Sequence, residues 1–176
     1  MNIDIHEATA ADLDDLLFLY RQLGEDDGKV LDLDKARRIF ARTRNYPDYH
    51  LYLARDPGGR AVGTFALLIM DNLGHCGARS AVVEDVVVAS DCRGCGIGSD
   101  MMAFAAMLSR AAGCYKITLS SNRNREGAHR FYERLGFSRH GYSYLLSLGA
   151  EQQDIETGLA RPVKPGQSAD NPGDRP

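Results

Sequence analysis

Apolar residues recur along the first 149 residues with two different periods, which predicts that helices and strands alternate. Ile3 and Ile5 alternate with polar residues and predict a short first strand. Thr9-Ala10-Ala11-Asp12 has the form of a capping box. The helix that it opens would place its apolar residues on one face, at Leu13, Leu16, Leu17, Tyr20 and Leu23. A second amphipathic helix is predicted over about Asp34–Arg44.

The rest of the pattern predicts a hairpin followed by a strand–helix–strand unit. The predicted strands are Leu51–Arg55, Ala61–Met70, Ala81–Ala89, Cys114–Ser120 and Tyr142–Leu148. The predicted helices are Ile97 to about Ala112, ended by Gly113, and Glu126–Leu135, closed by Gly136. Early hairpins and a later strand–helix–strand unit are typical of an α/β fold with a mixed central sheet flanked by helices.

Length and composition describe one compact domain with a polar extension. The chain has 176 residues, 44% of them apolar and 26% charged, which are ordinary values for a globular protein. After Gly149 the apolar periodicity stops, and four of the six prolines follow. Because such a segment buries too little apolar surface to offset its ordering entropy, we predict a domain over 1–149 and a disordered tail over 150–176.

Charge and targeting signals exclude several classes of protein. The net charge of −3 argues against a nucleic-acid binder, and no apolar run is long enough to span a membrane. The first residues lack a signal peptide, and the four cysteines read as reduced thiols. We therefore expect a cytoplasmic protein.

The charge is spread unevenly along the chain. Residues 1–34 carry a net charge of −8, and residues 116–140 a net charge of +4. These are either two solvated faces or, for the basic segment, a patch that attracts anions.

A glycine-rich turn between a buried strand and a helix carries the clearest chemical signal. It runs from Arg93 through Gly94, Cys95, Gly96, Ile97 and Gly98 to Ser99. Glycines let backbone N–H groups approach an anion closely, and a helix N-terminus adds its positive dipole. We interpret this turn as a cradle for a pyrophosphate, with Arg93 at its mouth.

Spacing distinguishes this turn from other phosphate loops. The dinucleotide pattern G-x-G-x-x-G fails at Ser99, and no Gly-Lys-Ser/Thr is present for a P-loop. The pattern that fits is R-x-x-G-x-G, at Arg93, Gly96 and Gly98. Cys92 and Cys95 have the spacing of a metal or redox pair, but no second Cys or His pair completes a zinc site, so we predict no metal.

The turn, together with a second motif, resembles the GNAT superfamily of acetyl-CoA-dependent N-acetyltransferases. Arg93–Gly98 is similar to the family's coenzyme A pyrophosphate loop. The segment from Ala128-His129-Arg130-Phe131-Tyr132 to Gly136-Phe137 is similar to the family's A-x-x-F-Y-x-x-x-G-F helix. The two motifs stand in the family's order, and the resemblance covers roughly Ile3–Leu148.

The resemblance implies a fold, a co-substrate and a set of site residues. The expected fold is a mixed sheet whose two central parallel strands splay apart at the coenzyme site. Acetyl-CoA would contact the amides of the preceding strand at Val86, Val87 and Val88, the turn from Arg93 to Ser99, and Asn124. Tyr132 would protonate the departing thiolate.

Two adjacent carboxylates interrupt the apolar run before the turn. Because strand side chains alternate, at least one of Glu84 and Asp85 would lie on a buried face, and only one would face the cleft. The resemblance places this segment beside the thioester. There Glu84 would be the general base and Asp85 a contact of the acceptor amine, although the alternation does not say which of the two faces the cleft.

The acceptor is less sharply defined. Parts of the sequence look like glucosamine-6-phosphate N-acetyltransferases, and others like aminoalkylphosphonate N-acetyltransferases, both of which act on small amines with a phosphorus oxyanion. His75, Arg79, Arg123 and Arg125 are the candidate substrate contacts. Alternatives are a protein or peptide amine acetyltransferase and a coenzyme A-binding module without turnover. A homodimer that shares the Tyr142–Leu148 strand is also expected from the resemblance.

Overall fold

The computed structural model describes residues 2–23 and 29–146, and these form five strands and four α-helices. The strands are β1 (Asp4–Glu7), β2 (Tyr49–Arg55), β3 (Ala61–Met70), β4 (Arg79–Val88) and β5 (Cys114–Thr118). The helices are α1 (Leu13–Tyr20), α2 (Leu33–Thr43), α3 (Ile97–Ala111) and α4 (Glu126–Arg134). All of these elements belong to a compact unit, Met1–Arg139, and a second unit comprises His140–Pro176.

The strands form one mixed sheet in the order β1-β2-β3-β4-β5. The strand pairs β1–β2, β2–β3 and β3–β4 are antiparallel, and β4 pairs with β5 in parallel. A parallel pair needs a crossover, which α3 supplies between β4 and β5. The predicted α/β fold with a mixed sheet is therefore confirmed.

Helices cover both faces of the sheet, and successive residues of β3 show which helix lies on each side. A Cβ atom at Gly63 would lie 2.5 Å from Met101 Sδ, so this position faces α3. On the same face, Tyr52 stacks on Phe65 at 5.0 Å and meets Phe104 of α3 at 5.6 Å. The next residue, Thr64, points to the opposite face. There α1 packs on β3, and the phenol of Tyr20, at the end of this helix, lies near Thr64.

An ion pair joins the start of α1 to β2. The backbone N–H of Thr9 donates to Asp12 at 2.8 Å, which completes the predicted capping box. The Arg55 guanidinium donates to the same carboxylate at 2.6 Å. Burial raises the pKa of Asp12, but the hydrogen bonds from Thr9 and Arg55 outweigh it, and the net pKa is lowered. The acidic residues of this segment therefore include at least one with a structural role.

Most predicted elements occur within about two residues of the predicted ends. The final strand is the exception, because residues 142–146 form no strand and Tyr142, Tyr144 and Leu145 are exposed. An alternating apolar pattern becomes a strand only where a neighbouring strand takes its backbone hydrogen bonds, and none of these described residues has such pairing. Residues 147–148 and the predicted tail over 150–176 lie outside the described residues.

Within the described residues, no helix combines the length and apolar character that crossing a bilayer requires.

Replacing Asp12 by Asn should lower the free energy of unfolding by about 1–3 kcal/mol at pH 7, because it leaves Arg55 without this buried partner. The folded pKa of Asp12 is lowered, so its contribution is complete above the unfolded value of about 3.9 and is lost as the pH falls below it. Urea unfolding at pH 7 and pH 3.5 should therefore show a smaller difference between wild type and Asp12→Asn at the lower pH.

Asp14→Asn is the matched control, since Asp14 lies exposed on the same helix. We expect it to change the stability by less than about 0.5 kcal/mol. Equal losses in the two variants would contradict a specific role for the Asp12–Arg55 pair.

Candidate active site

A β-bulge in β4 brings both predicted carboxylates to the surface. Ala66 of β3 pairs with Glu84 and Thr64 pairs with Val87, so two residues, Asp85 and Val86, stand opposite one. Asp85 takes a left-handed backbone conformation, with φ of 52°. The side chains of Glu84 and Asp85 are both exposed. The expectation that alternation buries one of them is therefore wrong, because the bulge interrupts the alternation at these two residues.

Beyond the bulge, β4 runs on after its pairing with β5 has ended. The register of the parallel pair stops at Val82↔Thr118, whereas β4 continues to Val88. Among the described residues, the backbone groups of Val86 and Val88 on that edge have no strand beside them. An extended chain with amide groups could hydrogen-bond there, as expected for splayed parallel strands.

The glycine-rich turn lies directly after this free edge. Gly94 and Gly96 have φ of 80° and 89°, which glycine adopts without strain. A Cβ atom at either position would meet nothing within 4 Å, so open space borders the turn. Gly96 is the N-cap of α3, and no side chain caps this end of the helix among the described residues. The helix dipole and the N–H groups of Ile97 and Gly98 therefore face a site suited to an anion.

Two polar side chains from other elements hold the turn in place. Arg60, from the β2–β3 turn, donates to Asp91 at 2.6 Å and to Cys92 Sγ at 2.8 Å. Gln22, just after α1, accepts from the Ser90 N–H at 2.8 Å through its side-chain oxygen. Neither residue has a local motif that identifies it in the sequence, because each acts across a long sequence separation.

Arg93 also contributes to this bracing. Its guanidinium donates to the carbonyl of Val88 at 3.3 Å and to that of Gln22 at 3.4 Å. The side chain is exposed, so it remains beside the mouth of the turn while it ties the turn to β4.

Helix α4 brings Tyr132 to the same region. Phe131 packs on the first turn of α3, where a Cβ atom at Gly98 would lie 3.0 Å from its ring. Tyr132 is half-buried and meets Phe131 and Phe137 edge-on, at 5.0 and 5.7 Å. Burial raises the pKa of Tyr132, the charge of Arg125 lowers it and that of Glu84 raises it, with a net increase. The phenol therefore stays protonated at neutral pH, and Glu84 lies within electrostatic range of it.

The loop between β5 and α4 supplies the predicted basic and polar residues. Arg123, Asn124 and Arg125 are exposed, and Asn122 shapes the loop by accepting from the Asn124 N–H at 3.0 Å. Ser121 Oγ is buried with no hydrogen-bond partner among the described residues. A buried hydroxyl without a partner suits a site that a ligand completes.

The two other predicted substrate contacts lie at the opposite end of β4. Arg79 begins this strand, about 16 Å of extended chain before Glu84. It forms ion pairs of 2.8 Å with Asp48 and Asp71. His75 lies exposed in the β3–β4 loop and stacks near Tyr115 at 4.8 Å. The structure therefore brings Arg125 near Tyr132 and His75 near the start of β5, whereas Arg123 lies in the same loop as Arg125.

The cysteine pair of the turn is split between core and surface. Cys92 is buried and Cys95 is exposed. Among the described residues, no group of three or more His, Cys, Asp or Glu side chains could hold a metal ion.

Comparison with known proteins gives consistent matches. Residues 13–137 match the model of the acetyltransferase (GNAT) family. The chain is 31% identical over 145 residues to the aminoalkylphosphonate N-acetyltransferase of Salmonella typhimurium, which spans 82% of this chain and 91% of that enzyme. It is 38% identical over 92 residues to the glucosamine 6-phosphate N-acetyltransferase of Trypanosoma brucei brucei. That second match covers 52% of this chain and 60% of that enzyme's length.

A solved structure shows the same arrangement of elements. The crystal structure of a Trypanosoma brucei acetyltransferase superposes with a TM-score of 0.72 at 29% identity, over 84% of this chain and 100% of that one.

The geometry of the turn predicts that Gly96→Ala weakens coenzyme A binding. A methyl group there strains the left-handed backbone and enters the open space beside the N-terminus of α3. We expect the dissociation constant, measured by calorimetry with coenzyme A, to rise at least about tenfold because close backbone approach to the pyrophosphate is lost.

Gly113→Ala is the matched control at the other end of α3, since it has φ of 77° and also open space around its Cβ position. Both substitutions should lower the free energy of unfolding by about 1 kcal/mol, but Gly113→Ala should leave the dissociation constant for coenzyme A unchanged. Unchanged binding in Gly96→Ala, or an equal loss in Gly113→Ala, would contradict the assignment of the turn.

Proposed function

The chain belongs to the acetyltransferase (GNAT) family, and from this premise we propose that it transfers the acetyl group of acetyl-CoA to the primary amine of a small anionic molecule. The observation that carries the proposal is that Tyr132 lies within electrostatic range of Glu84, which stands beside Asp85 at the bulge of β4. Next to them lie the free edge of β4 and the uncapped N-terminus of α3.

The residues present suit acetyl-CoA as the co-substrate. The turn from Arg93 to Ser99 would hold the pyrophosphate, with N–H groups and the dipole of α3 aimed at the negative charge. The free edge of β4 at Val86 and Val88 would hydrogen-bond the amides of the pantetheine arm, whereas Val87, which the resemblance also implied, pairs with Thr64 of β3. Asn124 and the buried Ser121 hydroxyl would complete the site from the β5–α4 loop.

We propose that Glu84 acts as the general base and Tyr132 as the general acid in a direct transfer of the acetyl group. The acceptor arrives as an ammonium, and Glu84 takes a proton from it, directly or through water, so that nitrogen regains its lone pair. The nitrogen then forms a bond to the thioester carbonyl carbon, and the carbon–sulfur bond breaks. Tyr132 donates its phenolic proton to the departing sulfur and recovers a proton from solvent. After the new bond forms, nitrogen gives its second proton to water. The two protons that nitrogen loses are thus balanced by the one that sulfur gains through Tyr132 and by one released to water.

The acceptor class rests on the relatives and on two arginines of the β5–α4 loop, of which Arg125 lies within electrostatic range of Tyr132. The relatives are named for glucosamine 6-phosphate and aminoalkylphosphonates, which combine an amine with a phosphorus oxyanion. Arg123 and Arg125 would pair with that anion while Glu84 and Asp85 face the amine. His75 and Arg79 stay predictions as acceptor contacts, as do the homodimer and the cytoplasmic location.

Mass-spectrometric product detection tests the proposal directly. Acetyl-CoA is incubated with the full chain and one amine at a time, from glucosamine 6-phosphate, aminomethylphosphonate, 2-aminoethylphosphonate, polyamines, amino acids and a lysine peptide. We expect acetylation of a phosphorylated or phosphonylated amine. Acetylation of the peptide alone would overturn the acceptor class, and failure to bind acetyl-CoA would overturn the whole proposal.

Tyr132→Phe should lower kcat by about 10²–10⁴-fold, because it removes the proton donor but keeps the ring against Phe131 and Phe137. The KM for acetyl-CoA should change less than threefold or so, since the turn and the β4 edge remain. Steady-state kinetics between pH 7 and pH 9 measures both constants. Tyr115→Phe, on the exposed face of β5, is the control and should behave as wild type.

Arg123→Ala and Arg125→Ala should each raise the acceptor KM about tenfold, because each loses a charge-assisted hydrogen bond to the anion. Arg130→Ala is the control, since Arg130 lies exposed on α4 and pairs with Glu126 at 3.4 Å. The same assay on Arg79→Ala tests the sequence prediction for that residue. If Arg79→Ala, Arg123→Ala and Arg125→Ala all leave the acceptor KM unchanged, these arginines do not recognise an anion on the acceptor.

A further inference from the structure

The sheet register places Tyr49 on the same face as Glu84. Across three strands, Leu51 pairs with Ala66 and Ala66 pairs with Glu84, so these side chains form one row on one face. Tyr49 lies two residues before Leu51 in β2, so it points to the same face one row away.

Helix α1 brings a second tyrosine to this face. Tyr20 is the last residue of α1, a helix that packs on both β3 and β4, and its phenol lies near Thr64. Thr64 lies two residues before Ala66, with Phe65 opposite the bulge between them. The phenol of Tyr20 therefore reaches the sheet beside the bulge, on the side where Glu84 emerges.

The electrostatics agree with this placement. Burial raises the pKa of Tyr20, and the charge of Asp85 raises it further. Burial also raises the pKa of Tyr49, and the negative charges of Asp85 and Glu84 raise it further. Both phenols thus stay neutral, and both lie within range of carboxylates from the bulge. Two anions beside two neutral hydroxyl groups form a setting that favours a cation.

We propose that Asp85 and the hydroxyl oxygens of Tyr20 and Tyr49 bind the ammonium end of the acceptor, beside Glu84. A primary ammonium has three N–H donors, and this cluster offers three acceptor groups, namely one carboxylate and two hydroxyl groups. The bulge, where Asp85 takes its left-handed conformation, leaves both Asp85 and Glu84 exposed. This assignment rests on the proposed function and makes Tyr20 and Tyr49 specificity residues for an amine.

Kinetics of Tyr20→Phe and Tyr49→Phe, with the acceptor that the wild type acetylates, test the proposal. Each variant should raise the acceptor KM about tenfold, because it removes one hydrogen bond to a charged group. The KM for acetyl-CoA should stay within twofold or so of wild type. Tyr52→Phe is the matched control, since Tyr52 is a buried tyrosine of the same sheet on the opposite face.

Amine-free analogues show which end of the acceptor the tyrosines bind. The analogue is ethylphosphonate for 2-aminoethylphosphonate, and 2-deoxyglucose 6-phosphate for glucosamine 6-phosphate. Its inhibition constant against the acceptor should be the same in wild type and in both variants. A merely structural role would raise the inhibition constant together with the acceptor KM.

The outcomes separate this assignment from the proposed function. If the wild type acetylates a panel amine but neither variant raises its KM, the assignment is wrong and the function stands. The assignment is also wrong if the inhibition constant of the amine-free analogue rises together with the acceptor KM. If the wild type acetylates none of the amines, the function and the assignment fail together. Thermal melting of each variant confirms that the kinetics report on folded protein.

Discussion

The extra residue that β4 accommodates at Asp85 is the constraint on which the site depends. A regular strand would place Glu84 and Asp85 on opposite faces, with one of them in the core. The bulge instead keeps both carboxylates exposed and restores pairing at Val87↔Thr64, so the strand can continue to Val88. A left-handed aspartate costs about 1 kcal/mol or more, which the long antiparallel pairing of β3 with β4 offsets. Strain at this position is consistent with a functional role for the residues around it.

The site also depends on how closely the helices pack, because this packing positions Tyr132. Gly63 lets Met101 of α3 lie directly over β3, and Gly98 lets the ring of Phe131 lie on the first turn of α3. Because the two helices are packed through these contacts, Tyr132 is held near both the turn and Glu84. The rigid side of the site thus comes from packing, whereas its anion-binding side comes from backbone N–H groups that the fold leaves unpaired.

Much of this arrangement could be predicted from the sequence, and the failures have physical causes. Hydrophobic period and turn residues predicted the strands and helices of the described unit, because local patterning and burial agree there. The bulge could not be predicted, since it depends on how β3 and β4 pair and not on either strand alone. Gln22 and Arg60 were missed because their contacts join distant parts of the chain. Over residues 142–146, the described part of the predicted final strand, no strand forms because an alternating pattern does not ensure a pairing partner.

The ion pairs of the structure neutralise part of the uneven charge along the chain. Within the acidic first segment, Asp12 and Asp15 pair with Arg55, so part of its charge is neutralised inside the fold. Within the basic segment, Arg130 pairs with Glu126 and Arg139 with Glu133. The described ion pairs include neither Arg123 nor Arg125, and these two arginines flank the loop before α4. In the proposed site, the carboxylates at the bulge and the arginines of this loop would present opposite charges to the acceptor. Such an arrangement complements a molecule with an ammonium at one end and an anion at the other, which neither segment's total charge would indicate.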